Sequence, residues 1–156
     1  MQATDLYTSV KDDFTAVDAA IIEHLSSQVP LVEKIGQYII QSGGKRLRPL
    51  LVLLAARACG YEQDQHITLA VVVEFIHTAT LLHDDVVDTS DLRRGKPTAN
   101  NKWGNSSSVL VGDFLYSRAF QLLVAIGQVD VMDTLSNATN VIAEGEVLQL
   151  LNAKNP

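Results

Sequence analysis

An apolar run from Ile67 to Leu82 leads straight into His83-Asp84-Asp85-Val86-Val87-Asp88. The valines at 71–73 alone could open a strand, but the run is too long for one and keeps helical spacing, so a helix from Ile67 to about Val87 is expected. Such a helix must be buried along its length and must also carry a cluster of carboxylates at its end. Asp84 and Asp88 stand at i and i+4, on one face, where like charges repel unless a cation lies between them. Oxygen-only ligands suit Mg²⁺, which commonly bridges one or two carboxylates to substrate phosphates. Asp91-Leu92-Arg93-Arg94-Gly95 follows, and guanidinium forks match phosphate oxygens. The plain alternative is an acidic helix end running into a solvated loop; the paired arginines favour a metal–diphosphate site.

A second basic cluster, Gly43-Gly44-Lys45-Arg46-Leu47-Arg48-Pro49, interrupts two helical patterns. Glycines allow a sharp turn and close approach to a ligand. Lys45 and Arg48 share a face if a helix begins there, and Pro49 suits a first turn, where its missing N–H is not needed. The spacing is not that of a nucleotide P-loop. Read alone, the segment is either an anion site or a basic loop joining two helices.

The remaining pattern is helical almost throughout. Leu6, Val10, Phe14, Val17, Ile21 and Leu25 form one stripe over Thr4–Leu25. Pro30 opens a helix with Ile35, Tyr38 and Ile39 inward. Leu50–Cys59 is apolar nearly all round and is expected to be buried. Asn105 and the serines at 106–108 are candidate caps for a helix from Val109 to Ile126, and a last helix runs from about Asp130 to Leu151. Repeats, linkers and low-complexity tracts are absent, so residues 1–156 read as one helical unit without an internal boundary.

Composition narrows the partners. The formal charge of −6 argues against nucleic acid or an anionic membrane, and the positive charge is local, at positions 45–48 and 93–96. The single Cys59 excludes a disulfide framework and fits a reducing cytoplasm. The first residues have neither the basic start nor the apolar core of a signal peptide. Glu74 and His77 interrupt the best candidate for a membrane span, so none is expected.

GGKRLRP, followed by EFIHTATLLHDDVVDTSDLRRGKPTAN, then Val111-Gly112-Asp113-Phe114 and the segment from Ala143 to Leu150, resembles the trans-polyprenyl diphosphate synthases over essentially the whole chain. Within that family it is most similar to bacterial members that make an octaprenyl chain for quinones. The resemblance implies an all-α isoprenoid-synthase bundle, here about six N-terminal helices. It implies Mg²⁺ held by Asp84 and Asp88 with Asp85 supporting. Arg93 would contact the allylic diphosphate, such as farnesyl diphosphate, while Lys45, Arg48, His77 and Arg94 would hold isopentenyl diphosphate. His77 and Asp84 lie two helical turns apart, roughly 10.5 Å along the axis, a separation suited to two adjacent diphosphates. Ala79 and Thr80 are small where shorter-product relatives carry bulky aromatics, and Phe120 or Leu123 could floor a longer tunnel. Members of the family are about twice this long and carry a second aspartate-rich motif in the C-terminal half. The expectation is therefore an N-terminal half that needs the remainder for catalysis, works as a homodimer and is inactive alone.

Other residues carry weaker expectations. His83 points about 100° from Asp84; His24 and His66 are expected in solvent, and Trp103 as a packing anchor. Glu146 and Gln149 fall on the face that family members turn toward substrate, and Asp113 has no role legible in the sequence. Two other functions remain: a terpene cyclase, which needs no isopentenyl site, and a non-catalytic subunit of a heteromeric synthase.

Overall fold

The computed structural model describes residues 3–153. Among them are eight helices and one short hairpin: α1 Ala3–Ser9, α2 Lys11–His24, α3 Pro30–Gln41, α4 Leu47–Ala58, α5 Gln65–Val87, β1 Leu92–Arg93, β2 Lys96–Pro97, α6 Ala99–Trp103, α7 Asn105–Ile126 and α8 Val129–Ala153.

The long apolar helix is the centre. α5 packs against α2, α3, α4, α6 and, most extensively, α7. Ala70, Val71, Val72, Phe75, Ile76, Ala79 and Leu82 are all buried on it. From α7 the stripe Val111, Leu115, Ala119, Leu122 and Ile126 meets it, at the spacing that places side chains on one helix face. The Ser108 hydroxyl donates to the Leu82 carbonyl at 3.0 Å, pinning the two helices near the acidic end. Burying a side chain of this size contributes roughly 1.5–3 kcal/mol relative to leaving it in water, so this pairing dominates the packing.

Several expectations are corrected. The first helix is two, because Val10 leaves helical geometry (φ −127°, ψ 27°) while its side chain stays on the buried stripe. α4 is not buried all round: Leu47 and Leu51 are exposed, and only Pro49, Leu50 and Leu53 are buried. Asn105 and the serines after it lie inside α7, whose preceding residue is Gly104 without a side-chain cap. His66 is not in solvent; it is 5% exposed, with Nδ1 2.7 Å from the Gln63 carbonyl and Nε2 3.3 Å from Asp13. Asp13 also receives two hydrogen bonds from Arg57, so α2, α4 and α5 are tied at one point. Interruption by Glu74 and His77 does not disqualify α5 as a span: α5 and α7 are both long and apolar enough to cross a membrane, and here they pack against each other.

The segment after α5 is stitched back onto it. Asn100 donates to the Asp85 carbonyl at 3.2 Å, and the Thr98 hydroxyl to that of Ser90 at 2.7 Å. Between them, β1 and β2 pair Arg93 with Lys96 around a two-residue turn, Arg94-Gly95, with φ of 54° and 75°. Two successive positive φ angles mark a type I′ hairpin, whose twist matches the strands it joins. α8 meets α7 through its first turns, by Val131, Met132 and Leu135, and is exposed from residue 140 to 152.

Candidate functional site

The hairpin aims two adjacent arginines at different targets. Arg93 returns to α5, with Nε 3.1 Å from both oxygens of Asp85 and Nη2 2.9 Å from Oδ1. Arg94, in the turn itself, reaches the loop between α3 and α4, where its guanidinium lies against Gly44. A Cβ at Gly44 would collide with that guanidinium, so the glycine is what lets Arg94 rest in this position.

The result is a cavity of about 240 Å³ whose walls include Gly43, Gly44, Lys45, Arg46, Arg48, Glu74, His77 and Arg94. Lys45, Arg48, His77 and Arg94, scattered over fifty positions of sequence, are brought into it together. Burial first, then the charges of Arg48, Arg94 and Arg93, pushes the His77 imidazole down to about 4, so it is neutral near pH 7. Two cavity residues were missed by the sequence reading. Arg46 forms an ion pair with Asp18 of α2. Glu74, one turn before His77, is half-buried; burial raises its carboxyl, against Arg46, Arg48 and Arg94, which lower it. The helical spacing between Glu74 and His77 was the available signal for the second.

The acidic cluster divides. Asp85 has no exposed surface and is engaged by Arg93. Asp84 is half-buried and Asp88 exposed. Burial first, then the charges of Glu146 and Asp88, raises the Asp84 carboxyl above its usual value. Glu146 of α8 thus faces the cluster electrostatically, while Gln149 is simply exposed. Among the described residues no three His, Cys, Asp or Glu side chains gather closely enough to hold a metal ion unaided. The donor set nonetheless fits Mg²⁺: two oxygen ligands one helical turn apart, with like charges that a cation relieves.

Neighbouring residues have structural duties. His83 Nε2 is 3.2 Å from the Val109 carbonyl and 3.2 Å from Asp113, and its ring lies on Gly112, where any Cβ would strike it. Trp103 packs edge-on against Tyr38 with centroids 5.0 Å apart, and Tyr38 donates to the Pro97 carbonyl at 2.6 Å, anchoring the hairpin to α3. His24 is half-buried and takes no part in the cavity. Ala79 and Leu123 are buried in the core, whereas Thr80 and Phe120 keep partial exposure.

A helical bundle of this form, with a cation-walled cavity beside paired carboxylates, has the fold of the isoprenoid synthases. The chain belongs to the polyprenyl synthetase family, whose model matches residues 29–156. It is 59% identical over 144 residues to octaprenyl diphosphate synthase of Escherichia coli, covering 92% of this chain and 45% of that protein. Among solved structures it is similar to a decaprenyl diphosphate synthase from Rhodobacter capsulatus (TM-score 0.92, 55% identity, 94% of this chain and 46% of that one). It is similar also to a polyprenyl synthase from Caulobacter crescentus complexed with calcium and isoprenyl diphosphate (TM-score 0.93, 48% identity, 96% and 45%). The chain spans about half the length of the curated relatives it matches.

Proposed function

We propose that this chain supplies the substrate-binding half of a long-chain trans-prenyltransferase. The enzyme would condense isopentenyl diphosphate with an allylic diphosphate such as farnesyl diphosphate, giving a polyprenyl, specifically octaprenyl, diphosphate for quinone side chains. The observation that carries the reading is the convergence of Lys45, Arg48, Arg94 and neutral His77 on one cavity. A terpene cyclase has no need of such a second diphosphate pocket.

In this reading the cavity binds isopentenyl diphosphate through Lys45, Arg48 and Arg94, with His77 as a neutral hydrogen-bonding partner. Asp84 and Asp88 would hold Mg²⁺, with Asp85 acting chiefly by orienting Arg93. When bound, Mg²⁺ supplies positive charge to the departing allylic diphosphate. Arg93 gives Nε and Nη2 to Asp85, which leaves its Nη1 hydrogens to donate to that diphosphate. The allylic cation is attacked by the isopentenyl double bond and a proton is lost, so catalysis is positioning, leaving-group electrostatics and exclusion of water. Thr80 and Phe120 would border the growing chain. The protein is proposed to act in the cytoplasm as a homodimer and to need a C-terminal half with a second aspartate motif.

The test is incubation of the purified 156-residue chain with Mg²⁺, farnesyl diphosphate and labelled isopentenyl diphosphate, alone and joined to a C-terminal half from a relative. Long-chain product is expected only from the joined protein. Product from the chain alone would overturn the half-site reading, and none from either would overturn the activity.

A further inference from the structure

The loop that carries Lys45 is gripped from outside the region that the family model matches. Tyr7 of α1 donates its hydroxyl to the Lys45 carbonyl, and Asp18 of α2 pairs with the Arg46 guanidinium. Both donors of support precede residue 29, where the family match begins. Between these two contacts lies a strained residue. Arg46 sits in the left-handed region (φ 43°, ψ 44°), which L side chains disfavour, and persists only where surroundings hold it. Its carbonyl accepts the first backbone bond of α4, from Leu50 at 3.2 Å, so its conformation sets how α4 starts and where Arg48 stands relative to Lys45.

Resting on the reading of the cavity given above, we infer that Tyr7 and Asp18 are positioning residues for the isopentenyl diphosphate pocket. Neither lines the cavity. One fixes the backbone before Arg46 and the other its side chain, and together they hold the left-handed turn that makes Lys45 and Arg48 converge. A purely structural role predicts a different pattern. Val10, between α1 and α2, and Val17 and Ile21 of α2 are buried in the core, and the Tyr7 ring packs against it, edge-on to Phe14 with centroids 5.5 Å apart. Tyr7→Phe keeps that packing and deletes only the hydroxyl.

The experiment uses a complete synthase containing this sequence, with farnesyl diphosphate as co-substrate. Tyr7→Phe and Asp18→Asn are each expected to raise KM for isopentenyl diphosphate by about three- to tenfold, as loss of one hydrogen bond implies. The KM for farnesyl diphosphate, kcat and Tm should stay near wild type, and Asp18→Glu should restore much of the loss. Lys45→Ala is the control for the pocket itself. If Lys45→Ala raises KM while the Tyr7→Phe/Asp18→Asn double variant does not, the brace is overturned and the pocket stands. If Lys45→Ala has no effect, the pocket falls and this inference with it. Equal damage to both KM values and to Tm would reduce the two residues to fold supports and refute the proposal.

Discussion

Arg93 grips Asp85 through two nitrogens, at 2.9 and 3.1 Å, and leaves the aspartates on either side of it, Asp84 and Asp88, ungripped. Three acidic residues within five positions of sequence therefore have two kinds of work. The middle one holds an arginine, and the outer two are free to meet a cation.

Stability separates them. Asp85→Asn removes the charge from a fully buried, hydrogen-bonded partner and should cost about 1–3 kcal/mol in urea denaturation. Asp84→Asn should leave stability unchanged or raised. Its carboxyl is harder to ionise in the folded chain than in the unfolded one, so the folded state is favoured as pH falls toward its titration and disfavoured above it. An equal loss from both variants would contradict the division.

Metal binding should depend on diphosphate. Two carboxylates form an incomplete shell for an ion that dehydrates reluctantly. Calorimetry is expected to show weak Mg²⁺ binding alone and tighter binding with diphosphate present. In the complete enzyme Asp84→Ala should lower turnover by about a hundredfold or more, the scale of a lost transition-state charge contact.

The two proposed diphosphate sites should respond to different variants. Lys45→Ala and Arg48→Ala are expected to raise KM for isopentenyl diphosphate far more than for the allylic substrate, and Arg93→Ala the reverse. Gly44→Ala belongs with the first pair. Its backbone is not left-handed, so alanine is locally tolerated and simply displaces the flexible Arg94 guanidinium. Steady-state kinetics with Tm alongside would show KM moving without loss of stability for the Lys45, Arg48 and Gly44 variants. Arg93→Ala, which leaves buried Asp85 unpaired, should lower Tm as well.

His77 gives a spectroscopic check. By NMR its imidazole should titrate at about 4 in the ligand-free chain, and diphosphate, by offsetting the arginines, should move the midpoint upward. Unfolded, the ring titrates near 6.5, so between that value and about 4 the unfolded chain takes up a proton that the folded one refuses. The contribution to stability is complete above 6.5, declines through that window and levels off below 4. A midpoint at or above 6.5 without ligand would disprove the buried, cation-flanked environment.

Product length should be controlled at Thr80. In the complete enzyme Thr80→Tyr is expected to shorten the product, because the residue keeps exposure on the line of Asp84. Ala79→Tyr enters a position with no exposed surface and should chiefly destabilise, by about 1–3 kcal/mol of overpacking. Chain-length analysis of the two products distinguishes the positions.

Much of this was legible in the residues. Helical spacing located α3, α5, α7 and α8 to within a few positions, and four of the pocket's five cationic or imidazole groups, Lys45, Arg48, His77 and Arg94, were picked out from two motifs. What escaped depends on distant partners or on dihedral angles. Leu6, Val10 and Phe14 keep helical spacing across the break at Val10, so periodicity could not register it. The burial of His66 follows from Asp13, fifty-three positions earlier. The hairpin left little mark, since Arg94-Gly95 is not one of the residue pairs that signal a two-residue turn. Spacing set Asp84 and Asp88 apart from Asp85, but the Asp85–Arg93 pair left no mark, because it is made only once that hairpin folds back.

One consequence lies in α5 itself. Glu74, His77, Thr80 and Asp84 are mounted on a single unbroken rod capped by Asp88, so the offset between the two proposed substrate sites is written in residue count. A one-residue insertion between His77 and Asp84 would turn one site about 100° from the other and lengthen the gap by about 1.5 Å. Compensating at a distance would require moving every helix packed on the rod. Evolution can therefore exchange letters along this stretch, but has almost no freedom to change its length.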